Sequence, residues 1–407
     1  MSFRILAINP GSTSTKIAVY DDESPVFTTS IQHSVDDLAP FHSVAEQRAW
    51  RLNLILQTLA DNNFDLHGFD AVVGRGGLVH PVESGTYEVN DILLNDLLNA
   101  QRQHASNLGG IIARDIADRI GVKAYIADPV TVDELMPYAR ISGLPELPRL
   151  SILHALNQKA IARRYAKEIG VPYNELNLIV CHMGGGTSVG AHRKGRIIDT
   201  TNGLNGVGPF TPERAGTLPP GQLVDLCYSG KYTHAEMARL INGRGGLVAH
   251  LGTSSVPEIL DRIDGGDLHA MLILRAMCYT TAKAIGEMAI ALKGQVDAIL
   301  ITGGVAHSKR LTDFIAEHVD FIAPIYVYAG ENELESLALN ALAVLTGERD
   351  VKEYTSEPDN NDPAQINNFL KPSKLREVLR ESLLAANTVA RKRLTAVRHY
   401  LRKLREK

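Results

Sequence analysis

Two turns rich in glycine and hydroxyl side chains, each following a short apolar stretch, carry the first chemical signal in this chain. Residues 5–8 run into Asn9-Pro-Gly-Ser-Thr-Ser-Thr-Lys16, and residues 178–180 run into Cys181-His-Met-Gly-Gly-Gly-Thr-Ser188. Glycine lets backbone N–H groups approach phosphate oxygens closely, while Ser and Thr hydroxyls add further donors. Aligning residues 11–14 with 185–188 also brings the preceding apolar stretches into register, which points to an internal duplication. Two such turns facing each other would hold the phosphate chain of a nucleotide between two like domains.

The elements that must position these turns follow from hydrophobic periodicity. Apolar, β-branched stretches predict strands at 5–8, 17–20, 71–73, 124–126, 178–180, 298–302 and 325–328. Helical spacing predicts helices at 45–60, 93–103, 110–120, 153–169, 269–292 and 334–345. Alternating strands and helices imply an α/β protein with helix-covered sheets. A crossing between domains is expected at Pro145-Glu-Leu-Pro148, which leaves one glycine turn in each half.

With 407 residues, 44% hydrophobic and 22% charged, the chain is long enough for two cored domains. No apolar run approaches the length of a membrane span and the first residues lead straight into a strand, so a cytoplasmic address is expected. Cys181, Cys227 and Cys278 have neither CxxC spacing nor a paired framework, and read as small buried apolar residues. The net charge of −4 conceals an asymmetry: from Lys371 onward there are twelve Lys and Arg against three Glu. A polar linker near 355–372 precedes Leu383, Ala386, Ala390, Leu394, Val397, Leu401 and Leu404, an apolar stripe on a basic helix. That helix would pack on the body or on a twin, or else meet an anionic partner that the sequence does not identify.

Five ordered motifs then make a family resemblance specific. The opening Asn9-Pro-Gly-Ser-Thr-Ser-Thr-Lys16, Val73-Gly-Arg-Gly-Gly77, His104-Ala-Ser-Asn-Leu-Gly109, His182-Met-Gly-Gly-Gly-Thr-Ser188 and Thr302-Gly-Gly-Val305 resemble the acetate and butyrate kinase family, the butyrate branch more closely. The resemblance runs from residue 1 to about 350 and leaves the basic tail outside it. It implies duplicated actin-like (ribonuclease H-like) domains enclosing a nucleotide cleft: domain I at 1–148, completed by a helix at 334–350, domain II at 149–333, and an extension at 355–407. It implies reversible phosphoryl transfer from ATP to a short-chain carboxylate such as butyrate or isobutyrate, giving an acyl phosphate and ADP. Acetate or propionate as substrate, or a non-catalytic ATP-binding regulator, are the competing readings. Mg²⁺ and a homo-oligomer of two or more chains are part of the same implication.

The resemblance also assigns residues. Catalytic roles fall to Arg75, Asp128, His154, His182 and Arg214, with His104 at a further family position whose Ala-Ser-Asn surroundings depart from the pattern. Nucleotide contacts fall to Asn9, Ser12, Ser14, Lys16, Gly184, Gly185, Gly186, Gly303, Gly304 and Val305. Glu333 is the expected metal-linked carboxylate, with Glu331 competing. The chemistry is coherent. An ionised carboxylate needs no strong general base, so the site must position two anions and spread transition-state charge with cations and hydrogen-bond donors. A planar guanidinium suits both carboxylate and phosphoryl oxygens.

Overall fold

The computed structural model describes residues 2–100 and 104–355. The basic helix expected within 355–407 lies outside the described residues, as do residues 101–103 of the helix expected at 93–103, which already ends at Leu98.

Two sheets repeat one topology. The first is built from β1 (Arg4–Pro10), β2 (Ser14–Asp21), β3 (Ser24–Gln32), β4 (Ala71–Arg75), β5 (Thr86–Glu88) and β6 (Lys123–Ala127), in the order β3-β2-β1-β4-β6-β5. The second contains β7 (Asn177–Met183), β8 (Thr187–Arg193), β9 (Arg196–Thr200), β10 (Ala298–Gly303) and β11 (Ile325–Ala329), in the order β11-β10-β7-β8-β9. In each, an antiparallel meander of three strands is extended by two parallel ones. The match of β1 with β7 and of β2 with β8 puts the two glycine turns in equivalent places, so the duplication read from the sequence is structural.

Alternate residues of each central strand feed two helical layers, as the period-two pleat requires. Leu6 and Ile8 pack with Leu52, Ile55, Ile112 and Ile116 of helices Arg48–Asp61 and Asn107–Ile120. Ile5 and Ala7 pack on the other face with Leu337, Ala338 and Ala341 of helix Glu333–Leu345. In the second sheet, Ile179 and Cys181 face helix Leu268–Ala291, while Leu178 and Val180 face Ile161, Ala162 and Tyr165 of helix Ala155–Ile169. The helices Ala155–Ile169 and Glu333–Leu345 touch each other between the two sheets. Each starts at the cleft where the glycine turns lie.

Several expectations change. The strands β3, β5, β8 and β9 and the helices Val35–Leu38, Pro220–Tyr228, His234–Ile241, Gly246–Leu251, Val256–Asp264 and Lys309–Val319 had no predicted counterpart. β3 is a half-exposed edge strand rich in Thr and Ser, and β8 mixes Gly190 with polar residues, which masks its apolar signal. The segment around residues 133–140 belongs with the second core although it precedes Pro145. Leu135, Met136 and Ala139 join that core, the Met136 N–H donates to the Ile198 carbonyl at 2.9 Å, and the buried Lys159 amine meets Glu134 at 2.8 Å. Cys181 and Cys278 are buried as expected, but Cys227 is exposed. No helix among the described residues is long and apolar enough to cross a membrane.

Leu337 is fully buried under β1 and β4, and the cavity left by truncating it cannot close without moving both. Leu337→Ala is expected to lower unfolding free energy by about 2–5 kcal/mol in a urea titration, and a loss below about 1 kcal/mol would contradict this packing.

Candidate functional site

Parallel pairing of β1 with β4 sets Ile8 beside Gly74, so Asn9 and Arg75 leave adjacent strand ends at the same edge. Both reach Glu333, the first residue of the helix beneath the sheet. The Arg75 Nη1 donates to Glu333 Oε2 at 2.9 Å, and the Asn9 amide donates to the same oxygen. Arg75 Nη1 also lies 3.4 Å from Asn9 Oδ1. The remaining guanidinium nitrogens of Arg75 make no hydrogen bond within the described residues.

The second domain contributes a pair of histidines. His182 is the penultimate residue of β7 and His154 precedes helix Ala155–Ile169; their rings stack at 3.9 Å with an interplanar angle of 17°. His182 Nδ1 meets Asn157 Oδ1 at 2.9 Å and its Nε2 meets Glu331 Oε1 at 3.1 Å. Glu331 is held below the usual carboxylate range by the hydrogen bond to His182, against the opposing effect of its own burial, with Arg75 and Lys16 adding attraction. His154 is pushed well below the usual imidazole range by burial first, then by His182, Arg214 and Arg75. It is therefore neutral at physiological pH.

A cavity of about 90 Å³ joins the two halves. Arg75, His104, His154 and Arg214 supply its polar wall, while Leu78, Val130, Ile152, Leu153 and Leu204 supply its apolar one. The Arg214 guanidinium lies against Gly186 so closely that a Cβ there would sit 1.6 Å from Nη1. The Gly203 carbonyl would also lie 2.8 Å from that Cβ, so a larger residue would displace the guanidinium and crowd the backbone. Arg214 Nε donates to Asn242 Oδ1 at 3.2 Å, and Arg214 forms no ion pair among the described residues. Burial lowers its pKa, with neighbouring Glu213 opposing. His104 accepts from or donates to Ser106 Oγ at 2.8 Å, and its pKa falls through burial and the two arginines. The cavity thus combines cationic and neutral polar groups with apolar side chains, the chemistry of a pocket for a small amphipathic anion.

The other candidates take varied places. Asp128 is buried with φ of +38°, and its carboxylate accepts from Ser84 Oγ at 2.6 Å, Gly85 N–H at 2.9 Å and Arg163 Nη1 at 3.2 Å. It lines a small recess with Arg75, His154 and Glu333, but its oxygens are committed to Ser84, Gly85 and Arg163. Lys16 is exposed and pairs in register with Asn9, its charge reaching Glu331. A Cβ at Gly184 would meet Glu331 Oε1 at 3.0 Å and His182 Nε2 at 3.2 Å, and one at Gly185 would meet Glu213 Oε2 at 3.5 Å. Gly303, with φ of +93°, packs over the Met183 carbonyl, and a Cβ would approach that oxygen to 2.3 Å. Gly304 borders open space, whereas the Val305 side chain is buried in the second core.

Arg51 escaped the sequence reading. Its buried guanidinium donates to the carbonyls of Gly11 at 2.8 Å and Ser14 at 3.2 Å, to Thr15 Oγ1 at 3.0 Å and to Gln47 Oε1. It braces the turn that carries Ser12 and Ser14 from below. Burial without a carboxylate partner brings its pKa down to about 10. The available signal was a charged residue next to Leu52 and one turn from Ile55, on the apolar face of its helix.

Carboxylates at the cleft suit a hard cation. Mg²⁺ binds through one or two carboxylates together with substrate phosphates and water. Glu333 Oε1 and Glu331 Oε2 make no hydrogen bond among the described residues, so the two side chains fit such a role. Among the described residues no cluster of three or more His, Cys, Asp or Glu forms a metal cage by itself.

Comparison with known proteins agrees with this architecture. Residues 149–333 match the Acetokinase family. The chain is 54% identical over 352 residues to a probable butyrate kinase of Bacteroides thetaiotaomicron, covering 86% of this chain and 99% of that one. It is 53% identical over 355 residues to butyrate kinase 2 of Clostridium acetobutylicum, covering 87% and 100%. Among solved structures, Porphyromonas gingivalis acetate kinase superposes with a TM-score of 0.71 at 18% identity over 84% of this chain and all of that one. Entamoeba histolytica acetate kinase gives 0.66 at 17% identity over 86% and 99%. At those identities the likeness is one of fold.

The buried neutral histidines give the protein a defined pH dependence. His154 and His192 both have folded pKa values depressed well below 6.5, chiefly by burial. Below 6.5 the unfolded chain binds protons that the folded chain refuses, so stability is intact above 6.5 and falls as pH drops below it. His154→Gln should reduce the slope of unfolding free energy against pH between 6 and 5 by about 1.4 kcal/mol per pH unit in urea titrations. An unchanged slope would mean that His154 titrates normally in the folded state.

Proposed function

The chain belongs to the acetokinase family, at 54% identity to a probable butyrate kinase over nearly that protein's whole length, and from that premise we propose that it phosphorylates a short-chain carboxylate, butyrate or isobutyrate, with ATP. The observation that carries the reading is one cavity lined both by Arg75, Arg214, His104 and His154 and by Leu78, Val130, Ile152 and Leu204. A four-carbon acid has the matching polarity, a charged head and an apolar tail.

In this reading the carboxylate lies between the two guanidiniums with its alkyl chain against the apolar wall. The turns at Asn9, Ser12 and Ser14 and at Gly184, Gly185 and Gly186 take the phosphates, Lys16 approaches from β2, and Gly303 and Gly304 take the adenosine side. The carboxylate oxygen attacks the terminal phosphorus in line as the bond to the ADP oxygen breaks; no proton has to move. Cations offset the repulsion of the two anions and follow the charge as it spreads over the equatorial oxygens. Arg214 suits that task because it forms no ion pair with a carboxylate among the described residues. Neutral His154 supplies an N–H donor without adding to the burden of buried charge, and His182 stands behind it. Asp128 acts as a positioning residue through Arg163, Ser84 and Gly85. Glu333, with Glu331 beside it, would hold Mg²⁺, which when bound offsets phosphate charge. Homo-oligomeric assembly belongs to the same reading, on the strength of the family likeness.

The test is acyl phosphate capture by hydroxylamine, with kcat/KM compared across acids of two to five carbons. Each methylene in an apolar pocket discriminates by roughly 1–3 kcal/mol, so butyrate should exceed acetate by about tenfold or more. A tenfold preference for acetate would overturn the substrate assignment, and the absence of any acyl phosphate would overturn the activity.

A further inference from the structure

β8 places Ser188, Gly190 and His192 on one face, and that face meets His154 and Gln158, four residues apart, at the start of helix Ala155–Ile169. A strand repeat of two thereby matches a helical repeat of four. The result is a continuous chain of hydrogen bonds. Tyr173 Oη lies 2.7 Å from His192 Nδ1, and His192 Nε2 lies 3.0 Å from Gln158 Oε1. Gln158 Nε2 lies 3.1 Å from the Ser188 carbonyl and 2.9 Å from Ser188 Oγ, which lies 2.8 Å from His154 Nδ1.

The direction of every bond can be derived from one atom. A backbone carbonyl only accepts, so the Gln158 atom facing the Ser188 carbonyl must be the amide nitrogen. The other amide atom is then an acceptor, and His192 Nε2 must donate to it. His192 Nδ1 is left bare in a neutral ring and accepts from the Tyr173 hydroxyl. At the other end, Ser188 Oγ already accepts from Gln158 Nε2 and from the His154 backbone N–H at 3.2 Å. Its own proton has one place left to go, His154 Nδ1.

We propose that Gln158, anchored by the Ser188 carbonyl, is a positioning residue that sets the tautomer of His154, leaving its proton on Nε2 where it is available to the reacting anions in the cavity. The proposal rests on the carboxylate kinase reading for the use of that proton, though the tautomer itself does not depend on it. Both histidines stay neutral, as the assignment needs: burial depresses each well below the usual range, and burial also raises Tyr173 so that its hydroxyl stays protonated. Gly190 supports the arrangement independently. A Cβ there would come within 2.4 Å of Gln158 Oε1 and 3.2 Å of His192 Nε2, so a larger residue would displace the central link. Gln158, Ser188 and His192 are all fully buried, which keeps water from offering alternative partners.

The experiment is ¹⁵N NMR of the histidine side chains in the full chain at neutral pH, combined with steady-state kinetics. Wild-type His154 should show a protonated Nε2 and a bare Nδ1; a proton on Nδ1 in the wild type overturns the proposal, with no variant needed. Gln158→Glu replaces the donor by an acceptor, so the Ser188 hydroxyl turns toward residue 158 and His154 must donate from Nδ1. A protonated Nδ1 in Q158E supports the proposal, and a bare Nδ1 in Q158E contradicts it. Losing one oriented donor should lower kcat by about 10²-fold with KM for ATP little changed. Wild-type kcat in a Q158E protein with inverted tautomer would remove the catalytic purpose. If the wild type makes no acyl phosphate, the functional reading fails while the spectrum still decides the tautomer.

Discussion

Two anions that must touch repel each other, and the structure is organised around offsetting that repulsion in a small, partly apolar space. Arg75 comes from the first sheet and Arg214 from the second domain, and both border one cavity of about 90 Å³. Their electrostatic settings differ. Arg75 is shared with Glu333 and Asn9, whereas Arg214 lies against bare Gly186 with no ion-pair partner among the described residues. A half-buried guanidinium without a carboxylate partner is costly in the absence of ligand, and an incoming carboxylate or phosphoryl group relieves that cost. His104 and His154 are kept neutral first by burial and then, in the same direction, by the field of the two arginines.

The duplicated fold explains how such a site is assembled. Each half ends its first strand in a turn open to the cleft, and each has a helix whose first residues serve chemistry and whose remainder is core. Helix Glu333–Leu345 begins with Glu333 at the cleft and continues as Leu337, Ala338 and Ala341 under the first sheet. Helix Ala155–Ile169 begins beside His154, Asn157 and Gln158 and continues as Ile161, Ala162 and Tyr165 under the second. Because these two helices touch, motion of one sheet relative to the other would be felt at Glu333 and His154 together. The buried charges beneath, Arg51 under the first turn and the Asp128–Arg163 pair, fix backbone at the cleft and have no need to contact ligand.

Much of this was legible in the residues themselves, for identifiable reasons. The central strands are fully buried, so their apolar runs are unbroken, and the glycine turns interrupt them abruptly. Both features survive in one dimension. The edge strand β3 and the glycine-bearing β8 lack that contrast, and the short helices between residues 220 and 264 expose most of their surface, which dilutes their periodicity. At the site, the histidines, arginines and glycines stood out by motif. The apolar wall did not, because Leu78, Val130, Ile152 and Leu204 are ordinary residues joined only by tertiary contact. The commitment of Asp128 to Arg163, the inward turn of Val305 and the Tyr173–His192–Gln158–Ser188 chain are likewise properties of pairing across elements, which spacing along the chain does not encode.

The central claim is that Arg75 and Arg214 act on the same transferring group, and a double-mutant cycle on kcat/KM for acyl phosphate formation tests it most directly. Arg75→Ala and Arg214→Ala should each cost heavily, and the double variant should lose less than the product of the two, with a coupling of roughly 1–3 kcal/mol. Independent, fully multiplicative losses, or either single variant turning over at the wild-type rate, would contradict the account.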